Sequence, residues 1–164
     1  GATWDSMGAG PASIENVAGR LRTLRGRGGI RLIDDTYNAN PVSVCAAIDV
    51  LAELPGYRWL ILGDMAELGE NSRALHAGVG RHARQAGIDR LWTLGDDAQH
   101  AADAFGAPAR VFDTRDALIA ALADDPDAGH GADCTVLVKG SRCMGMEHVI
   151  RQLAGDAGTV GGSA

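Results

Sequence analysis

The chain has 164 residues, 46% of them hydrophobic and 22% charged, with a formal net charge of −6 and a sequence pI near 5.2. That length holds one ordinary domain with a sizeable core and at most a fragment of a neighbour. An acidic chain with no basic stripe lacks the electrostatic footprint of a nucleic-acid binder, and its apolar runs are too short to span a bilayer.

Residues 1–18 read as the tail of a preceding domain followed by a linker. Thr3 opens a single helical turn with Trp4 and Met7, which Gly8 and Gly10-Pro11 end at once. Beyond Gly19, two extended runs, 20–25 and 30–33, are joined by Gly26-Arg27-Gly28-Gly29, which predicts a β-hairpin with an arginine-bearing outer arm. Arg20 stands apart, because a guanidinium directly after the linker could swing onto a phosphate bound elsewhere.

The stretch Asp34-Asp35-Thr36-Tyr37-Asn38-Ala39-Asn40 packs two carboxylates, two amides, a phenol and a hydroxyl into seven positions. Asn40 is placed as an N-cap and Pro41 as the first helical residue. Val44, Ala47, Ile48, Leu51 and Ala52 then follow at helical spacing. Residues 58–62 form a short continuous apolar run, as in a strand buried on both faces. Gly63 to Glu70 is a second polar loop, with Asn71 or Ser72 capping a helix whose inward face is Leu75, Val79, Ala83 and Ala86.

The alternation continues. A strand over 90–94 precedes a helix burying Ala98, Ala101, Ala102 and Phe105. A strand over 109–112 precedes a Thr114-capped helix burying Leu118, Ile119 and Leu122. A flexible loop over 124–131 leads to a strand over 134–138, then Lys139-Gly140-Ser141-Arg142, then a helix with Met146, Val149, Ile150 and Leu153 on one face. Residues 155–164 have the composition of a disordered tail. The expected fold is α/β: a Rossmann-like, mostly parallel sheet with helices on both faces and an antiparallel hairpin arm at one edge.

Parallel strands share a carboxyl edge, so the loops after Asp34, Gly63 and Val138 should form one rim. It offers carboxylates (Asp34, Asp35, Asp64, Glu67), amides (Asn38, Asn40) and cations (Lys139, Arg142), which suits a zwitterionic or phosphorylated ligand. No Walker A loop, dinucleotide fingerprint or nucleophile elbow is present. The five histidines, among them His76, have no ligand spacing and read as surface residues. Cys45, Cys134 and Cys143, odd in number and without a C-x-x-C pair, fit a reducing cytoplasm. On residues alone the domain has a ligand rim and no self-sufficient catalytic machinery.

Asp35-Thr36-Tyr37-Asn38-Ala39-Asn40-Pro41, Leu62-Gly63-Asp64-Met65-Ala66-Glu67-Leu68-Gly69 and Val138-Lys139-Gly140-Ser141-Arg142, preceded by Gly19-Arg20-Leu21, closely resemble the Mur ligase family. Within it they are most similar to the members that add D-alanyl-D-alanine to UDP-N-acetylmuramoyl-tripeptide in peptidoglycan precursor synthesis. The resemblance covers residues 1 to about 154 and matches the last of three domains. It implies that residues 1–18 end the central ATPase domain and its linker, and that 19–154 form the C-terminal ligase domain. It also implies an ATP-dependent, amide-forming enzyme working through an acyl phosphate, cytoplasmic and monomeric, with Mg²⁺ held mainly by the central domain and no metal site on this chain. Asp35 would then accept from the ATP ribose, Asn38, Asn40 and Tyr37 would shape the nucleotide-facing loop, and Arg20 would approach the phosphates. Lys139, Ser141 and Arg142, with Asp64 and Glu67 nearby, would hold the D-alanyl-D-alanine. The phosphate loop and the acceptor site would lie on the upstream domains, so the isolated chain is expected to be inactive. Two rivals are a stand-alone nucleotide-binding module on the same fold and a folylpolyglutamate synthase-like domain. The Asn-Ala-Asn-Pro and Lys-Gly-Ser-Arg stretches count against the second.

Overall fold

The computed structural model describes residues 21–125 and 133–154. The expectations for residues 1–18, for Arg20, for most of the 124–131 loop and for 155–164 lie outside the described residues.

Strands β1 (Arg22–Arg25) and β2 (Arg31–Asp35) form the expected antiparallel hairpin, with Arg25 opposite Arg31 across the glycine-rich turn. Helix α1 (Pro41–Ala52) follows. Asn40 caps it: its side chain accepts the Ser43 N–H at 2.9 Å, and the Ser43 hydroxyl accepts the Asn40 N–H at 3.1 Å. Two orphan donors of the helix start are thereby satisfied reciprocally. The chain then runs through β3 (Tyr57–Gly63), α2 (Ser72–Gln85), β4 (Arg90–Leu94), α3 (Gln99–Phe105) and β5 (Ala109–Phe112). It finishes with α4 (Arg115–Asp124), β6 (Cys134–Lys139) and α5, over residues 147–154. Thr114 caps α4 as expected, accepting the Ala117 N–H at 3.1 Å.

The sheet order is β1-β2-β6-β3-β4-β5, parallel except for the β1 edge. After β5 the chain crosses back and inserts β6 between β2 and β3. Two apolar layers result. On one face α1, α2 and α3 bury Val44, Ile48, Leu51, Val79, Ala83 and Phe105 against Ile33, Leu60, Leu62, Leu91 and Leu137. On the other, α4, α5 and the turn before α5 bury Leu118, Leu122, Met146, Val149 and Leu153 against Leu32, Trp59, Ile61, Trp92 and Val136. Alternation along each strand feeds both layers, which is why these strands read as continuous apolar runs.

The buried face of α2 differs from the expected one. His76, Val79, Gly80 and Ala83 point inward, while Leu75 is exposed. His76, expected at the surface, has no solvent exposure. The reason lies in the loop before α2, where the Met65 N–H requires an acceptor.

Candidate functional site

β2 and β3 lead into helices on one face of the sheet, while β6, between them, leads into α5 on the opposite face. The connections part at the carboxyl end of β6, the topological switch point where open α/β sheets bind ligands. The three motif-bearing loops meet there.

Consecutive aspartates at the end of β2 serve opposite faces. Asp34, on the side of Leu32 and α5, accepts the Thr36 N–H at 3.2 Å, the Thr36 hydroxyl at 2.7 Å and Arg22 at 3.3 Å. Asp35 turns toward the α1 face. One of its oxygens takes the Lys139 ammonium at 2.8 Å and the other the Leu21 N–H at 3.3 Å. Lys139 Nζ also donates to the Asn38 carbonyl at 2.9 Å. Read from sequence, Lys139 is a cation offered on the rim; the structure buries it to 2% exposure as a strut between β6 and the Asp35–Asn38 loop.

The second loop is fastened to the third. Ser141 donates its N–H to the Asp64 carbonyl at 3.0 Å, and its hydroxyl accepts the Ala66 N–H at 2.6 Å. The Ala39 carbonyl of the first loop lies 3.5 Å from the same hydroxyl. His76 holds the loop from below. Its Nε2 accepts the Met65 N–H at 2.9 Å, so Nδ1 carries the proton and donates to the Ser72 carbonyl at 2.7 Å. No motif spacing pointed to His76; the helical period alone, turned by one residue, would have placed it inward.

The Asp64 carboxylate accepts the Ala98 N–H at 2.7 Å. Burial pushes its carboxyl above the ordinary value. The Ala98 N–H pulls the other way, while the neighbouring Asp97 carboxylate raises it further. Gly95, at φ +113°, permits this approach, since a Cβ there would overlap the carboxylate.

The expected residues therefore divide. Asp35, Lys139, Ser141 and Asp64 form the internally bonded floor that joins the loops. Tyr37, Asn38, Glu67 and Arg142 are exposed above it, with the Arg142 guanidinium 5.1 Å from the Tyr37 ring centroid. Glu67 sits in the left-handed region at φ +62°. The Asn40 side chain is engaged as the cap of α1. Asp35 supplies a carboxylate acceptor beside the exposed residues Tyr37 and Asn38, a polar set whose chemistry fits a nucleotide's ribose and base. Among the described residues, no cluster of three or more His, Cys, Asp or Glu could hold a metal ion.

Fold and site together define a doubly wound α/β domain that presents a charged rim to its ligands at the switch point. The chain belongs to the Mur ligase family: the model for the Mur ligase glutamate ligase domain matches residues 19–142. It is 44% identical, over 93% of its length and 33% of the relative's, to the UDP-N-acetylmuramoyl-tripeptide–D-alanyl-D-alanine ligase of Escherichia coli K12. A crystal structure of MurF from Acinetobacter baumannii superposes with a TM-score of 0.76 at 30% identity, covering 84% of this chain and 31% of that one. MurF of Thermotoga maritima, solved in complex with ADP, gives a TM-score of 0.71 at 26% identity, over 86% of this chain and 31% of that one. The chain spans about a third of the length of the curated relatives it matches.

Proposed function

We propose that this chain is the C-terminal domain of an ATP-dependent ligase that joins D-alanyl-D-alanine to UDP-N-acetylmuramoyl-tripeptide. In this reading ATP phosphorylates the tripeptide carboxylate, the dipeptide amine attacks the acyl phosphate, and phosphate leaves as the amide forms. Residues 1–18 close the central domain and its linker, and 19–154 form the domain that shuts over the nucleotide. The upstream domains of the same enzyme are its partners. Mg²⁺ is held there, and the enzyme works as a cytoplasmic monomer. No helix among the described residues is long and apolar enough to cross a membrane.

One observation carries the proposal. The three sequence stretches that resemble the family, separate in the chain, are bonded into one rim through Asp35–Lys139 and through Ser141 to the 64–66 loop. Asp35 keeps lone pairs for ribose hydroxyls beyond its bonds to Lys139 and the Leu21 N–H. Tyr37 and Asn38 line the nucleotide side with Asn40 behind them, and Arg20 approaches the phosphates. Arg142 and Glu67 contact the dipeptide, while Lys139, Ser141 and Asp64 hold the surface on which it rests.

The test is a chimera in which this chain replaces the matching third of the Escherichia coli ligase. Dipeptide-dependent phosphate release is expected from the chimera and none from the chain alone. A folded chimera that binds ATP and tripeptide yet never turns over would overturn the assignment. Turnover by the chain alone would overturn the division of labour between domains.

A further inference from the structure

β2 reaches one residue beyond its antiparallel partner. β1 begins at Arg22, opposite Asp34, so the next place in that register sets Leu21 opposite Asp35. Leu21 does not continue the strand. Its φ is +46°, in the left-handed region that a Cβ makes costly. Among the described residues Glu67 is the only other non-glycine residue with a positive φ. Two attachments hold Leu21 there. Its side chain packs against the α1-face core, and its N–H donates to Asp35 Oδ1 at 3.3 Å. Strain of this kind persists where the surroundings over-determine it. Here it turns one amide at the sheet edge onto a carboxylate.

The Asp35 carboxylate needs that second contact. The last torsion of an aspartate is broad, with no staggered well to set the plane of its two oxygens. Lys139 bonds Oδ2 at 2.8 Å and is the stronger partner, but a single contact leaves the group free to turn about it. The Leu21 N–H, on the other oxygen, fixes the plane and with it the directions of the unused lone pairs. Asp34 is held in the same way, with Thr36 on Oδ1 and Arg22 on Oδ2. Residues 21 and 22 thus orient consecutive aspartates.

We infer that Leu21 is a positioning residue whose left-handed backbone sets the plane in which Asp35 offers its lone pairs to a ligand. The backbone conformation does this, and the apolar side chain serves to hold it. The inference rests on the proposed function in one respect: there, the ligand groups at Asp35 are the ribose hydroxyls of ATP.

Two substitutions separate conformation from packing. Leu21→Ile keeps the apolar volume but is β-branched, which resists a positive φ. Leu21→Asn gives up the apolar packing but adopts the left-handed region readily. In this chain the amide of residue 21 should exchange slowly with solvent in the wild type and in Leu21→Asn, and about tenfold faster in Leu21→Ile. In the chimera described above, KM for ATP is compared with KM for its 2′,3′-dideoxy analogue. The wild-type sequence should favour ATP about tenfold, the worth of a hydrogen bond to a charged group. Leu21→Ile should lose most of that preference through a raised KM for ATP, and Leu21→Asn should keep it. Equal increases for both nucleotides would mark a merely structural role and overturn the inference. So would harm from Leu21→Asn with none from Leu21→Ile, or a freely exchanging amide in the wild type. An active wild-type chimera with no preference for ATP would remove the ribose contact and this inference, and leave the ligase reading in place. Absence of turnover counts against the ligase reading, and the exchange pattern then decides the positioning by itself.

Discussion

Asp35 and Lys139 stand opposite one another in the parallel register of β2 and β6, and their side chains meet at 2.8 Å on the α1 face. The pair lies where the sheet ends and the ligand loops begin, so one contact both closes the sheet and sets the first loop. Removing one partner leaves an uncompensated buried charge, which costs about 3–5 kcal/mol, whereas replacing both with apolar groups of similar size is often close to neutral. Lys139→Met is therefore expected to lower the urea-unfolding free energy of this chain by about 3–5 kcal/mol. The double variant Lys139→Met with Asp35→Leu should recover most of that loss. Equal, additive losses in the double variant would show that the pair is not coupled.

His76 is expected to be a positioning residue for the 64–68 loop. Its Nε2 is the acceptor for the Met65 N–H, and the next amide, Ala66, donates to Ser141. An orphaned buried amide costs about 1–3 kcal/mol. His76→Leu should lose about that much stability and speed hydrogen exchange at Met65 and Ala66. His76→Gln places an amide oxygen near the Nε2 position and should restore slow exchange. Proton–nitrogen correlation of the imidazole should show Nδ1 protonated and Nε2 bare at neutral pH; a proton on Nε2 would contradict the assigned network.

Asp35, Lys139 and His76 also show how far the sequence could be read. The hairpin, the Asn40 and Thr114 caps and the two-layer strand–helix alternation follow from local chemistry, and all are present. Both strands of the site nevertheless run past their apolar runs, β2 to Asp35 and β6 to Lys139. Polarity ordinarily ends a strand reading, but here each polar residue is the other's partner across 104 positions of chain. Likewise His76 rather than Leu75 faces inward, because the Met65 amide of the preceding loop needs an acceptor that a buried imidazole at this position supplies. Periodicity marks which residues are apolar; it does not mark which polar groups will meet.

Two glycines on α2, two residues apart, should respond oppositely to alanine. In a helix interior alanine is favoured over glycine by about 0.8–1.0 kcal/mol. Gly78 has room, since a Cβ there meets only the Arg81 guanidinium, at 3.8 Å. Gly78→Ala is expected to stabilise by about 0.5–1 kcal/mol. At Gly80 the Cβ would overlap the Ala101 carbonyl of α3, a backbone group that cannot rotate away. Gly80→Ala should force the helices apart and cost about 1–3 kcal/mol net of the propensity gain. Thermal unfolding of the two variants checks both signs, and stabilisation by Gly80→Ala would mean that α2 and α3 pack less closely than described.

Asp64 predicts an unusual pH dependence. Its carboxyl is held above its ordinary value by burial first, with Asp97 adding to the effect and the Ala98 N–H opposing it. A carboxyl raised in the folded state binds its proton more readily there than in the unfolded chain. Its contribution to stability is therefore fully present below the unfolded value of about 3.9 and is lost as the pH rises through the folded value. Asp64→Asn keeps an oxygen for the Ala98 N–H and cannot ionise. As the pH falls from neutral, the wild-type chain should gain stability relative to this variant, and the difference should level off below about 3.9. Urea midpoints for both proteins across a pH series measure that difference directly. A flat difference, or one that moves against the wild type on acidification, would mean that the hydrogen bonds to Asp64 outweigh its burial.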